Sequence, residues 1–410
     1  MTQPLKGVRI LEVAQFTFVP SAGAVLADWG AEVLKIENAE TGDAQRGLFR
    51  VLGLDAASKG SSFFPIIEGP NRGKRSVGVA LNTQEGRDVI YELAKQCDVF
   101  LTNYLPSARK KLGIDLEDIR KANPNIIFVR GSGFGDQGPE RDKGGFDSTG
   151  FWARSGTADA LTNPEQESIT NMPTGAFGDN MGGMTIAGGI AAALYKRLST
   201  GETSELDISL LSVGAWVTQF GSNLAMLVGG PLPKPSAAPA DAPTNPLSVT
   251  YKTSDSRFIT LTMLQPGRYF ADFCTVVGLP ELVTDERFQT AESIFANGAQ
   301  AKAIIAAHFK TKTYEEWLAL LPGIQGQWAA VQNFWELSQD VQLRANGLVA
   351  KVIDSDGIER ELIASPVTFD NVSPELTRAP QFAEHTDEVL LEYGYTMEKI
   401  LELKIAGALT

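Results

Sequence analysis

The 410-residue chain carries a formal net charge of −13, with 21% charged and 43% hydrophobic side chains, a globular balance at a length suited to two or more domains. That acidity argues against a general nucleic-acid binder, although Arg72-Gly73-Lys74-Arg75 and Arg109-Lys110-Lys111 concentrate enough positive charge for an anionic small ligand. Two cysteines (Cys97, Cys274) and two histidines (His308, His385) argue against a disulfide framework, a thiolate zinc site or a histidine-ligated catalytic metal, and they fit a reducing cytoplasm. No apolar run reaches membrane-spanning length, and Met1–Gly7 lacks the apolar core of a signal peptide. A Ser-His-Asp hydrolase is poorly supported, because no G-x-S-x-G elbow occurs.

Val8–Val13 reads as a strand, Ala14–Pro20 as a loop, Ser21–Trp29 as a helix and Glu32–Ile36 as a second strand. That spacing makes a βαβ unit, so the sheet is expected to be parallel and covered by helices. Ligands of such sheets bind at the carboxyl ends of the strands, where Gln15–Pro20 lies. Ser76–Leu81 is a further strand, and Asn82-Thr83-Gln84-Glu85 caps a helix to about Lys95. Asp98–Leu101 is a strand, Asn103–Pro106 its loop, Leu116–Lys121 a helix and Ile126–Val129 a strand, which makes the fold class α/β.

Gly133-x-Gly135-x-x-Gly138 has the spacing of a dinucleotide fingerprint. The fingerprint must open a helix, whereas Pro139-Glu140-Arg141-Asp142-Lys143 follows here. This is a loop, and a nicotinamide cofactor is rejected. No phosphate loop of the G-x-x-x-x-G-K-[ST] type occurs either.

Pro173–Met184 holds Asp179 among Gly178, Gly182 and Gly183, and Thr185–Arg197 continues as a helix small and apolar enough to be buried all round. At such a helix start Asp179 reads first as an N-cap. Glu205–Ser209 is a strand and Leu210–Leu227 a long apolar helix. Residues 229–245 are rich in Pro, Ala and Ser, as in an extended connector. Beyond it, Leu247–Lys252 and Phe258–Met263 pair as strands, with helices from Tyr269 to Leu321, so a small α+β domain is expected at 246–325. Leu348–Ile353 and Ile363–Val367 return to strand character, and helices at Glu384–Tyr393 and Met397–Leu403 close the chain.

Several segments together resemble one family, the class III CoA-transferases, which also contains 2-methylacyl-CoA racemases. They are Pro4-Leu5-x-Gly7-Val8-x-Ile10-Leu11-Glu12, Leu26-Ala27-Asp28-x-Gly30 through Glu37, Gly42-Asp43, and Asn71-x-x-Lys74-Arg75-Ser76. They continue as Asp98-Val99-x-x-x-Asn103-Tyr104, Ser132-Gly133-x-Gly135, Gly138-Pro139, Gly178-Asp179-x-x-x-Gly183-Met184 and Arg378-Ala379-Pro380-x-x-x-Glu384 through Val389. Gly145-Phe146-Asp147-x-Thr149-x-Phe151-x-Ala153-Arg154 and Asn245-Pro246-x-x-Val249-x-Tyr251-Lys252 are similar to members acting on 2-hydroxy, enoic and aryl acids.

The resemblance implies a large doubly wound α/β domain from both chain ends (1–228 and 326–410), joined by the linker to the small domain. It also implies a homodimer of interlocked rings. CoA thioesters and carboxylic acids are the implied substrates, with no tightly bound cofactor, no metal, and no nucleic-acid or membrane partner.

Asp179 matches the family's nucleophile. A carboxylate already ionised at neutral pH needs no general base, and backbone amides at a helix start or a glycine loop are the expected oxyanion donors. The three glycines are expected to let CoA approach. For the CoA site the resemblance brings in Thr17 and Phe18 along the pantetheine path, Val79, Ala80, Leu81 and Asn82 at the adenine, and the loop Asn103, Tyr104 and Leu105. It adds Lys111 near the phosphates and the segment of Lys143, Phe146 and Asp147. Phe16, Phe18, Phe151 and Trp152 hint at an apolar acyl pocket.

Asn38 and Asn82 depart from basic residues of some members, which implies weaker or rearranged phosphate binding. The glycine-run loop of oxalate-type members is absent from residues 229–245. At Phe146 the racemases have histidine; phenylalanine moves no proton, so the racemase is the poorer of the two readings. A CoA-binding protein without catalysis is the third.

Overall fold

The computed structural model describes residues 3–48, 50–51, 53–55, 63–234 and 241–410; residues 235–240 of the predicted connector lie outside the described residues. The chain divides into two compact units, Met1–Leu232 with Val341–Thr410, and Pro233–Asp340.

The first unit is built on six strands: β1 (Arg9–Val13), β2 (Glu32–Asn38), β3 (Arg75–Val79), β4 (Val99–Thr102), β5 (Ile127–Ser132) and β6 (Glu205–Ser209). They lie in the order β3-β2-β1-β4-β5-β6, and every neighbouring pair is parallel. Continuous apolar runs such as Ile127-Phe128-Val129 are what a sheet covered on both faces requires. Side chains alternate between two cores. Leu11, Val13, Leu34, Ile36, Phe100 and Phe128 pack on one face, with Val89, Ile90 and Leu93 of the helix Gln84–Lys95. Ile10, Val33, Leu101 and Val129 pack on the other, against α1 (Phe18–Asp28) and the long helix Phe177–Thr200.

The chain's end returns to this sheet: the Gly78 amide donates to Thr386 Oγ1 at 3.0 Å and the Ala80 amide to the Ala408 carbonyl at 2.9 Å. Among the described residues, no helix is long and apolar enough to cross a membrane.

Three local expectations change. The apolar helix expected over Leu210–Leu227 is two helices, Leu210–Val217 and Gln219–Val228, meeting at Thr218, whose hydroxyl lies 3.0 Å from the carbonyls of both Gly214 and Ser155. The strand expected at Ile363–Val367 lies earlier, at Glu359–Ile363, and pairs with Val349–Ile353 around a turn in which Asp354 Oδ1 accepts the Asp356 and Ile358 amides. In the second unit, Thr250–Lys252 and Phe258–Leu261 pair antiparallel as expected, but Trp328–Ala330 adds a third strand. That pairing carries the small unit past residue 325, to Asp340.

Candidate active site

The strand order reverses between β1 and β4, and a crevice opens outside the carboxyl ends of strands at such a point. The loops after these two strands are stitched together there. The Gln15 amide donates to Asn103 Oδ1 at 3.1 Å, Asn103 Nδ2 donates back to the Gln15 carbonyl at 2.7 Å, and Gln15 Nε2 donates to the Tyr104 hydroxyl at 2.8 Å.

Phe16 stands next in the left-handed region, at φ 63°, a conformation a phenylalanine keeps only when its surroundings impose it. Its amide donates to Asp43 Oδ1 at 3.1 Å. Asp43 Oδ2 is in turn ion-paired with Lys35 Nζ at 2.8 Å, and Lys35 donates to the Ala14 carbonyl at 3.1 Å. Thr17 Oγ1 bonds the buried Gln45 amide group. Gly42-Asp43 marked this place in the sequence; Lys35 inside a strand gave no hint of it.

Helix α2 (Phe177–Thr200) carries the central carboxylate. Ala176, at φ 61°, is its N-cap, so Asp179 is the third helical residue and makes no capping hydrogen bond. The cap reading is thereby corrected. The glycines around it make room for neighbouring side chains: a Cβ at Gly178 would strike the Phe151 side chain, at Gly182 the Phe18 ring and at Gly183 the Ser21 hydroxyl. Small residues bring α1 and α2 close enough for Ser21 Oγ to reach the Asp179 carbonyl at 3.3 Å.

Asp147, expected along CoA, is buried, at 7% exposure, where a π-helical turn (Asp147–Ala153) begins. Its Oδ1 accepts the Ser148 amide at 2.8 Å, whereas its Oδ2 is buried without a hydrogen-bond partner of ordinary geometry. The amides of Ala176, Phe177 and Gly178 at the start of α2 interact with this carboxylate from longer range. The helix-start amides expected at an oxyanion therefore already face a side chain.

Desolvation, and secondarily the charge of Asp147, push Asp179 up to about 7. The expected fully ionised carboxylate is corrected to one that titrates near neutrality. Catalysis that needs the carboxylate then gains with pH through about 7 in kcat/KM. Asp147→Asn removes the like charge and leaves the desolvation, so the acidic limb is expected to move to lower pH while staying above the ordinary aspartate value. A limb that does not move, or moves up, contradicts this coupling.

Two open cavities meet Asp179. The first, about 310 Å³, is walled by Phe18, Asn103, Tyr104, Leu105 and the Gly131–Gly133 backbone. The second, about 490 Å³, is walled by Thr17, Gln45, Leu48, Pro65, Ile66 and Pro70. Neither lining contains a Lys, Arg or His among the described residues. Sequence reasoning missed Pro65, Ile66 and Pro70, apolar residues of the short helix Pro65–Asn71.

Of the other predicted positions, Val79, Ala80 and Leu81 are core, at 0%, 6% and 8% exposure. Asn82 is exposed beside them. Asn38 Oδ1 closes a turn by accepting the amides of Glu40 and Thr41. Lys111 is exposed in the last turn of Pro106–Leu112, and Lys143 pairs with Glu140 at 2.7 Å; both lie outside the two linings. Phe16 and Phe146 line both cavities, whereas Phe151 and Trp152, offered for an acyl pocket, are core beside Phe177.

An open parallel sheet with a carboxylate at a helix start beside its switch point defines an α/β protein whose crevice is bordered by that carboxylate. The model of CoA-transferase family III matches residues 5–386, and the chain belongs to that family of enzymes. The (R)-2-hydroxy-4-methylpentanoate CoA-transferase of Clostridioides difficile is 32% identical over 409 residues, covering 98% of each chain. The cinnamoyl-CoA:phenyllactate CoA-transferase of Clostridium sporogenes is 32% identical over 405 residues, covering 98% of this chain and 96% of its own. The crystal structure of a CAIB/BAIF family protein from Brucella suis superposes with a TM-score of 0.79 at 26% identity, over 96% of this chain and all of that one.

Proposed function

We propose that Asp179 is the nucleophile of a CoA transfer between apolar monocarboxylic acids of the 2-hydroxy, enoic or aryl type. The carrying observation is the position of Asp179 at the meeting of two cavities. The first cavity gathers Phe18, Asn103, Tyr104, Leu105 and Phe146, residues the family resemblance places along CoA, and takes the pantetheine arm. The second takes the acyl chain. Its wall of Leu48, Pro65, Ile66, Pro70 and the two phenylalanine rings suits a hydrocarbon or aryl group. The relatives from C. difficile and C. sporogenes are named for acids of that kind.

In the reaction, Asp179 attacks the thioester carbonyl, and CoA thiolate leaves to give an aspartyl–acyl anhydride. Thiolate returns to the Asp179 carbonyl and releases the first acid, leaving an aspartyl–CoA thioester. The acceptor carboxylate attacks that thioester, and thiolate then attacks the new acyl group and restores Asp179. Phe146 supplies no proton-transfer group for racemisation.

The test is a panel of acids assayed with one acyl-CoA donor. Branched 2-hydroxy and aryl monocarboxylates are expected to accept CoA well and C4–C5 dicarboxylates poorly; preference for the dicarboxylates would overturn the substrate class.

The chain is also proposed to work as a homodimer, interlocked as the family resemblance implies. Trp216, Phe220 and Leu227 are 70%, 80% and 81% exposed, and the helix Gln219–Val228 buries none of its residues within this chain. Such an apolar face on a lone chain marks an interface. Light scattering is expected to give twice the chain mass of 44.1 kDa, and Phe220→Glu with Leu227→Glu to lower it. A wild-type monomer would contradict this.

A further inference from the structure

Phe16, Phe146 and Asp179 are the residues common to both cavities, so they form the boundary where one opens into the other. The two rings meet edge to face, with centroids 5.3 Å apart and planes at 88°. They are held differently. Phe16 is fixed in its strained conformation by Asp43. Phe146 is 57% exposed, and its backbone amide is fixed by Thr149 Oγ1 at 3.0 Å. A large apolar side chain left this open adds little to core packing, yet it stands beside the carboxylate.

We infer that the Phe16–Phe146 pair is a water shield over the acylated Asp179, deciding transfer against hydrolysis. This rests on the covalent reading above. Both covalent states of that reading are open to water as well as to their proper nucleophiles. Water attacking the anhydride forms a new C–O bond, breaks the anhydride C–O bond and yields the free acid and the Asp179 carboxyl group, while the expelled thiolate takes up a proton. Water attacking the aspartyl–CoA thioester breaks its C–S bond and yields the Asp179 carboxyl group and CoA thiol. Either event converts acyl-CoA and water to free acid and free CoA without transfer. Two rings at the boundary leave room for the extended thioester to thread past Asp179 and cover the adduct with apolar edges.

The test measures free thiol released per CoA transferred, with donor and acceptor acid both present. In Phe146→Ala and Phe16→Ala this ratio is expected to rise roughly tenfold or more, because water exclusion is what suppresses the side reaction. Phe146→Tyr, which keeps a ring edge in place, is expected to stay near the wild-type ratio. Unchanged ratios in both alanine variants overturn the shield, and so does an equal rise in Phe146→Tyr. Absence of any CoA exchange by the wild type would instead overturn the transferase reading and the shield with it; exchange without a change of ratio removes the shield alone.

Discussion

Asp179→Asn is expected to remove CoA transfer by a factor on the order of 10⁴ or more, the scale seen when a covalent nucleophile is lost. Among the described residues Asp179 is the one carboxylate in either cavity lining, and Asp147, whose charge acts on it, is buried against the helix start outside both. The same substitution is expected to stabilise the fold above neutrality. Asp179 titrates near 3.8 in the unfolded chain and at about 7 in the native one, so between those values the native state holds the extra proton. Stability is therefore lost as pH rises from about 4 to about 7, when the buried carboxylate is made to ionise. Asparagine escapes that loss. Urea midpoints of Asp179→Asn and wild type are expected to diverge over this range in favour of the variant and to stay apart above it. A gap that closes with rising pH would contradict the desolvated carboxylate.

The second large effect is expected from Lys35→Met. Glu12, Lys35, Asp43 and Lys74 are all buried, Lys74 Nζ donating to both Glu12 oxygens at 2.7 Å and Lys35 Nζ lying 2.8 Å from Asp43 Oδ2. The two carboxylates and two lysines offset one another, although burial pulls Lys74 down to about 7. Removing one cation leaves two buried carboxylates against a single ammonium, and breaking a buried pair costs about 3–5 kcal/mol. It also frees Asp43 and the Ala14 carbonyl, the supports of the loop carrying Phe16. Lys35→Met is expected to lose both stability and turnover. A loss of less than about 1 kcal/mol in denaturant unfolding would show that the cluster is not an ion-paired support.

The α/β class and the strands around Val33-Leu34 and Ile127-Phe128-Val129 were legible because local apolar runs dictate them. So was the helix Gln84–Lys95, through its Thr83 cap. The loop after β1 was legible as a ligand-facing place, because the end of the first strand of a βαβ unit is known before any tertiary contact is. The break at Thr218 was not, since Thr218 meets Ser155, a residue distant in sequence, only in the fold. The packing at Gly182 was not legible either: its neighbour, the Phe18 ring, comes from the other helix of a pair. Asp179 was visible as a carboxylate among glycines, but its ionisation was not, since desolvation and the charge of Asp147 arise only on folding. Of the second cavity, Phe16, Thr17, Phe146 and Asp179 were legible, whereas Leu48, Pro65, Ile66 and Pro70 are ordinary apolar residues with no local signal.

Trapping the covalent intermediate is the most direct test of the central claim. Wild-type protein incubated with an acyl-CoA donor, quenched with hydroxylamine, digested and analysed by mass spectrometry is expected to carry a hydroxamate on the peptide containing Asp179, and Asp179→Asn to carry none. An unmodified Asp179 peptide in enzyme that is turning over, or a modification on another residue, would contradict the mechanism.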